Sequence, residues 1–343
     1  MLSAAQHEAV TSEAARPLQI LAGPGSGKTR VLTSRVAHLV RDSAAPIAPE
    51  RCVVVTFTNR AANEMRARLE TMIGADRTRR LVLGTFHAVC VRFLRRWGTR
   101  LGLDPRFTIA DTDDARRLLR DVDRDAPVDA TLAAISRAKA HGWTPDELRA
   151  SAQHAPGSPA HTEHLALCRT YAAYQQQLRT SHALDFDDLL LLGVRLFREH
   201  PELTTHIDHV LVDEFQDTNA VQYELLRRLS RHVSVVGDPD QSIYSWRHAD
   251  VRHIERMHLD FPGLHRVLLE ENYRSTPQIL EAALRVMQQD PHRLPKGLYT
   301  ALASGPPVSV VACHDADDEA LFVAREIRQH ARTTPYALSL IHI

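Results

Sequence analysis

Three short stretches of this 343-residue chain hold residues whose types and spacing suit phosphate chemistry. The first comprises Ala22, Gly23, Pro24, Gly25, Ser26, Gly27, Lys28, Thr29 and Arg30. Glycines let backbone N–H groups close around phosphate oxygens, Lys28 brings a cation to the β and γ oxygens, and the Thr29 hydroxyl suits Mg2+. The strict phosphate-loop pattern begins with glycine, where this chain has Ala22; a plain Gly-rich turn is the alternative. Lysine is scarce, with only Lys28, Lys139 and Lys296 among 42 Lys+Arg residues, so each retained lysine invites a chemical reason. The second stretch is Leu211-Val-Asp-Glu-Phe-Gln-Asp217. Asp213 is suited to Mg2+ and Glu214 to polarising an attacking water, although the same pair could simply cap a following helix. The third runs from Val235 to Arg247. There Gln241 could report the γ-phosphate, while Tyr244, Trp246 and Arg247 offer aromatic faces and a cation of the kind that bases stack on. A tryptophan in such a turn also serves commonly as core.

Residues of this kind act only where a scaffold converges them. The first 105 residues alternate β-branched runs with helical text: LQILA before the Gly-rich turn, then RCVVVTF and LVLGTF, each followed by an amphipathic stretch. Such alternation predicts a parallel sheet with helices on both faces, delivering polar residues to the carboxyl edge. Residues 106–182 turn to Ala/Arg/Asp-rich helical text and read as an insertion, after which HVLVDEF and HVSVVGD resume the strand pattern over 183–271. From 272 a helix over 275–289, a Pro/Gly-rich link, a strand PVSVVAC and a further helix open a second α/β unit, 272–343. At 44% hydrophobic and 24% charged the chain suits several packed cores. Zero formal net charge directs any nucleic acid to a local groove. Cys52, Cys90, Cys168 and Cys313 are scattered without a CxxC pair, which disfavours a disulfide framework and fits a reducing cytoplasm. No segment approaches the roughly 20 apolar residues that span a bilayer.

AGPGSGKT, VTFTNRAANEM, GTFHAVCVRFL, LDFDDLL, VDEFQDT, GDPDQSIYSWR and ENYRS occur here in the order and spacing of the UvrD/Rep/PcrA helicases of superfamily 1, and the chain resembles that family over residues 2 to 330. The resemblance implies a RecA-like P-loop NTPase domain with a helical insertion, followed by the start of a second RecA-like domain. It implies an ATP-dependent enzyme using Mg2+ that moves 3′ to 5′ along single-stranded DNA, opens 3′-tailed duplexes and works with DNA-repair partners. By the same likeness Gln6 reads adenine, Tyr273 stacks on it and Arg274 is an arginine finger. Thr56, Phe57, Asn59, Phe86, His87, Tyr244 and Trp246 fall where the family lays the single strand.

The pattern departs at three places. Arg60 stands where lysine is common, consistent with phosphate contact. His248 replaces a usual glycine, so the turn after Trp246 is expected to differ. The family's later motifs do not appear before residue 343, and Tyr336–Ile343 do not resemble what should follow, so the chain reads as a portion of the motor. One alternative is therefore an ATP- and single-strand-binding portion without translocation. Another, a P-loop kinase or switch GTPase, lacks a guanine-reading NKxD and leaves Trp246 and ENYRS unexplained. The seven arginines and no acids of residues 77–100 suit either a DNA-facing rim or a solvated helix face. His161, His164 and Cys168 have metal-like spacing but lie in polar helical text, and metal binding is not expected there.

Overall fold

The computed structural model describes residues 2–151, 158–230, 232–244, 246, 248–290, 293 and 296–333. The chain opens with α1 (Ala4–Thr11), β1 (Leu18–Ala22), α2 (Lys28–Ala37), β2 (Cys52–Thr56), α3 (Asn59–Ile73), α4 (Ala75–Arg80), β3 (Val82–Thr85) and α5 (Phe86–Trp97). The insertion follows as β4 (Thr108–Ile109), α6 (Thr112–Val122), α7 (Val128–Ala140), α8 (Pro145–Ala150), α9 (Pro159–Thr180) and β5 (Ala183–Leu184). Then come α10 (Phe186–Glu199), β6 (His209–Val212), α11 (Ala220–Leu229), β7 (Val233–Gly237), α12 (Arg252–Asp260), β8 (His265–Leu269), α13 (Pro277–Met287) and α14 (Ala316–Thr333).

Six strands form one parallel sheet in the order β3-β2-β6-β7-β1-β8. The runs LQILA, CVVVT, HVLV and VSVVG are buried at every position, because helices cover both faces of a parallel sheet and leave no side for water. On one face Phe93 and Leu94 of α5, Leu189 and Leu196 of α10 and Leu225 of α11 pack together. On the other lie Val31, Leu32 and Val36 of α2 with Met65 and Leu69 of α3. A fully buried Leu of this kind contributes roughly 1.5–3 kcal/mol. Arg35 clamps α1 to this second face. Its guanidinium donates to the carbonyls of Ala9, Val10 and Ser12 and to the Ser234 hydroxyl, at 3.3, 3.2, 2.9 and 2.7 Å. Burial lowers its pKa to about 10.

The insertion has its own core of Leu119, Ile135, Tyr171, Tyr174 and Leu178. Its neck is the two-stranded β4–β5 pair, where Thr108 and Ala110 donate to the carbonyls of His182 and Leu184. Beside the neck, buried Lys139 donates to Asp185 (2.6 Å) and Asp188 (2.8 Å), with the Tyr171 and Tyr174 rings at 5.8 and 5.5 Å. The two acids also form the capping box of α10, so this lysine fixes the insertion to the start of a core helix.

One expectation about strands is corrected, and one strand was not anticipated. PVSVVAC is not a strand: none of its residues pairs, and Val308, Val310 and Val311 are exposed, since an extended run needs a neighbouring strand to satisfy its backbone. His265–Leu269, unread in the sequence, is edge strand β8 on β1; with only one face buried, its His and Arg hide the signal. The segment Tyr336–Ile343 and Arg247 lie outside the described residues.

Candidate nucleotide and nucleic-acid site

The phosphate loop leaves β1 and enters α2. Ala22 is the last residue of β1, buried and paired with Leu269, so an alanine is accommodated where the strict pattern has glycine. The later glycines are needed. Gly25 and Gly27 take φ of +66° and +86°, a region where a Cβ is strained. Each also lies against another motif. A Cβ on Gly27 would sit 3.1 Å from Gln6 Nε2, and one on Gly25 would sit 2.7 Å from the Arg274 Cβ.

Those contacts bring the expected adenine and finger residues to the loop. Gln6 accepts from Ser3 N in the α1 capping box and donates to the Ser26 carbonyl at 2.9 Å. Each end of its amide keeps one hydrogen-bonding position in reserve. Asn272, 2% exposed, donates to the Pro24 carbonyl at 2.7 Å and accepts from the backbone N–H groups of Arg274 and Ser275. Tyr273 N donates to the Gly25 carbonyl at 2.9 Å. The Tyr273 side chain stays 47% exposed, with its hydroxyl on Glu271. Desolvation, then that hydrogen bond, raises its pKa. Sequence reading gave roles to Tyr273 and Arg274 and missed Asn272, which seats both; its only signal was its place inside ENYRS.

The acids arrive at the carboxyl end of β6. Asp213 N bonds the Val55 carbonyl, and Glu214 follows at φ +48°, ψ +48°, a left-handed kink that costs a non-glycine residue about 1 kcal/mol or more. Burial, then the Glu214 charge, pushes Asp213 up to about 7 and Asp217 up to about 6, while Lys28 pulls both the other way. Asp213 at the end of β6, whose carboxyl feels the Lys28 charge, and Thr29 on the first turn of α2 are oxygen donors of the kind a divalent cation takes.

Glu214 is held from behind. Gln216 donates to Glu214 Oε2 at 2.9 Å and accepts from Asp238 N at 2.9 Å, and a Cβ on Gly237 would meet its Oε1 at 2.7 Å. Asp238 in turn accepts from Gln241 Nε2. Thus the expected γ-phosphate reporter and the expected base sit on one hydrogen-bonded chain, through a glutamine that sequence reading did not single out.

At the same edge Thr58 and Thr85 cap α3 and α5, so the chain turns sharply after β2 and β3. The turn divides the expected strand-contacting residues. Thr56 is buried with its hydroxyl on the Thr58 carbonyl, and Phe86 is buried in the core, so neither side chain faces the surface. Phe57, Asn59, His87, Tyr244 and Trp246 retain exposure, Trp246 at 67%. Phe57 and Tyr244 lie 5.0 Å apart and Tyr244 and Trp246 6.1 Å apart; His87 meets Phe186 edge-on at 5.9 Å. Exposed Phe186 was unassigned in the sequence, although it lies within LDFDDLL. Burial lowers the His87 pKa.

His248 takes φ +66°, the conformation a glycine enters freely, so the substitution there carries strain, and its ring leans on His141 at 5.9 Å. Arg60 is exposed on the first turn of α3. The arginines of 77–100 do not form a free rim: Arg80 pairs with Glu50, Arg92 bonds the Leu81 carbonyl, Arg95 lies over Phe107 and Arg100 pairs with Glu202. His164 bonds the Leu148 carbonyl and Cys168 is buried in the insertion core; among the described residues no group of three potential metal ligands clusters. A cavity of about 1170 Å³ opens between the insertion and α10–α11, lined by Tyr171, Gln175, Asp188 and Val221 and by no residue of the phosphate loop. Among the described residues no helix is long and apolar enough to cross a membrane.

A parallel sheet presenting a phosphate loop, paired acids and an aromatic edge at its carboxyl ends defines a P-loop NTPase of helicase type. The UvrD/REP helicase N-terminal domain matches residues 2–262 and the UvrD-like helicase C-terminal domain matches residues 267–341, and the chain belongs to this family of ATP-dependent DNA helicases. It is 40% identical over 342 residues to an ATP-dependent DNA helicase PcrA of Staphylococcus aureus, covering 95% of this chain and 45% of that protein. With the protein of the same name from Staphylococcus epidermidis it shares 39% over 347 residues, 97% of this chain and 46% of that protein. The chain thus spans under half the length of these relatives.

Proposed function

We propose that this chain is the ATP-binding portion of a helicase that couples hydrolysis to movement along single-stranded DNA, 3′ to 5′, opening 3′-tailed duplexes. The observation that carries the reading is the seating of two distant motifs on one phosphate loop: Gln6 on Ser26, and the ENYRS turn, with Asn272 on Pro24 and the Tyr273 backbone on Gly25. On this reading residues 1–105 and 183–271 form one domain, 106–182 its insertion and 272–343 the start of a second. The phosphate-loop amides and Lys28 hold the triphosphate, Tyr273 stacks on adenine against Gln6, and Arg274 meets developing charge at the γ-phosphate. Mg2+, held by Thr29 and Asp213, would neutralise phosphate charge. Glu214 takes a proton from the attacking water, and Gln241 reports whether a γ-phosphate is present. Phe57, Tyr244 and Trp246 supply stacking faces for bases, with Asn59 and His87 beside them. DNA-repair partners and a cytoplasmic location follow from the family likeness, and a reducing compartment suits the buried free thiols Cys52, Cys90 and Cys168.

The test is ATP turnover and fluorescent-ATP binding by the purified chain, with Lys28→Ala and Glu214→Gln. Lys28→Ala should lower turnover at least ~100-fold, the scale of one lost electrostatic stabiliser. Glu214→Gln should keep nucleotide affinity and stop hydrolysis. A Lys28→Ala protein that keeps half its rate sinks the assignment.

A further inference from the structure

The stretch after α13 reads in sequence as a Pro/Gly-rich link, yet its described residues touch three separate parts of the nucleotide site. Leu298 covers the phosphate loop so closely that a Cβ on Gly23 would lie 2.4 Å from its Cδ2. Tyr299 N donates to the Glu270 carbonyl at 3.1 Å, and the Tyr299 carbonyl accepts from Asn272 N at 2.7 Å, joining the stretch to the turn that carries Tyr273 and Arg274. Lys296 and Arg293 reach the loop after β7. Lys296 Nζ donates to Asp238 Oδ1 and lies 3.0 Å from Asp240 Oδ2, to which Arg293 Nε donates at 2.9 Å. The side chains of Lys296 and Asp238 are 1% and 0% exposed.

The Asp238 carboxylate is divided between two tasks. Oδ1 takes Lys296 and the Asp240 N–H; Oδ2 takes the amide of Gln241. The Asp238 backbone N–H meets Gln216, which holds Glu214. Both Gln241 and Glu214 are therefore tethered to a residue whose buried charge Lys296 balances. Without that cation an uncompensated carboxylate remains away from water, and the loop must rearrange to solvate it. The stretch contains one of only three lysines in a chain that otherwise uses arginine. A compact ammonium suits a place shared by two carboxylates with a guanidinium already on one of them; a second planar fork does not.

We propose that Lys296 is a positioning residue of the nucleotide site: by holding Asp238 it sets Gln241 and the Gln216–Glu214 pair, and through them the discrimination of ATP from ADP. The proposal rests on the ATP-site reading above. It makes residues 293 and 296–299 part of the nucleotide site and not a passive connection.

The experiment compares affinities for ADP and for a non-hydrolysable ATP analogue, both with Mg2+, in the full 343-residue chain and in Lys296→Met. ADP affinity should stay within about twofold, while analogue affinity falls about tenfold, the scale of one or two lost hydrogen bonds. A merely structural role would lower both alike. Because Lys296→Met can fail to fold with Asp238 left unpaired, the charge-neutral double variant Lys296→Met, Asp238→Asn is measured alongside. It also lacks the lysine-held carboxylate and should show a selective loss of about threefold or more. An unchanged analogue-to-ADP ratio in whichever variant folds overturns the proposal, as does equal loss of both nucleotides. If the unsubstituted chain binds neither nucleotide, the ATP-site reading itself falls and this inference with it.

Discussion

Replacing Gly25 with alanine probes how the turn at 272–275 is held on the phosphate loop. Gly25 sits at φ +66°, where an L-residue is strained by about 1 kcal/mol. Its new Cβ would lie 2.7 Å from the Arg274 Cβ and 3.0 Å from both terminal atoms of Asn272. Neither neighbour can swing aside. The Arg274 Cβ moves only with its backbone, and Asn272 is buried with Oδ1 and Nδ2 both engaged. The turn must therefore lift, giving up the Asn272-to-Pro24 bond of 2.7 Å and the Tyr273-to-Gly25 bond of 2.9 Å. At about 1 kcal/mol for each bond, with the strain added, the perturbation comes to about 3 kcal/mol. Tyr273 and Arg274 ride on that turn, so ATP affinity should fall roughly 10- to 100-fold. Gly102→Ala is the control, at φ +76° with nothing within 4 Å of the added Cβ, so it carries the strain without the collision. Urea unfolding and fluorescent-ATP titration of both variants measure the difference. Gly102→Ala should lose about 1 kcal/mol of stability and bind nucleotide within twofold of the parent. Equal nucleotide affinity in the two alanine variants would refute the reasoning, because the turn would then have no hold on the loop.

Trp246→Ala should weaken binding of a single-stranded oligonucleotide by roughly 1–3 kcal/mol with little base preference, read by fluorescence anisotropy; unchanged affinity in a folded protein removes the indole from the stacking surface. Lys139→Met should destabilise the protein by about 3–5 kcal/mol in urea, since Asp185 and Asp188 lose their shared buried cation, and a change below 1 kcal/mol contradicts the role assigned to it. Burial, then the Asp185 charge, pushes Asp187 up to about 6, against an ordinary 3.8. A raised carboxyl pKa gives stability that is complete below the unfolded value and is lost as pH rises through the folded one. Asp187→Asn should therefore gain on the parent between pH about 4 and 6 and hold a constant difference above, by urea unfolding; a flat difference across that window rules the shift out.

The residues proposed for phosphate chemistry were legible because backbone geometry requires them to be neighbours in the chain. A phosphate loop closes with closely spaced glycines, a lysine and a threonine, and the strands before Lys28, Asp213 and Gln241 announce themselves as short, largely apolar runs. The helical insertion was legible from its change in composition. Tertiary structure alone decided the rest, because contacts across 20 to 248 positions leave no local pattern. The sharp turns after β2 and β3 turn Thr56 and Phe86 inward and leave Phe57 and His87 at the edge. Asn272 and Gln216 read as ordinary polar residues and Lys296 only as a scarce lysine without a partner named; burial makes their hydrogen bonds obligatory, because a polar group removed from water must find its partner inside. PVSVVAC shows the converse: β-branched text makes extended chain favourable, but only a neighbouring strand makes it a sheet.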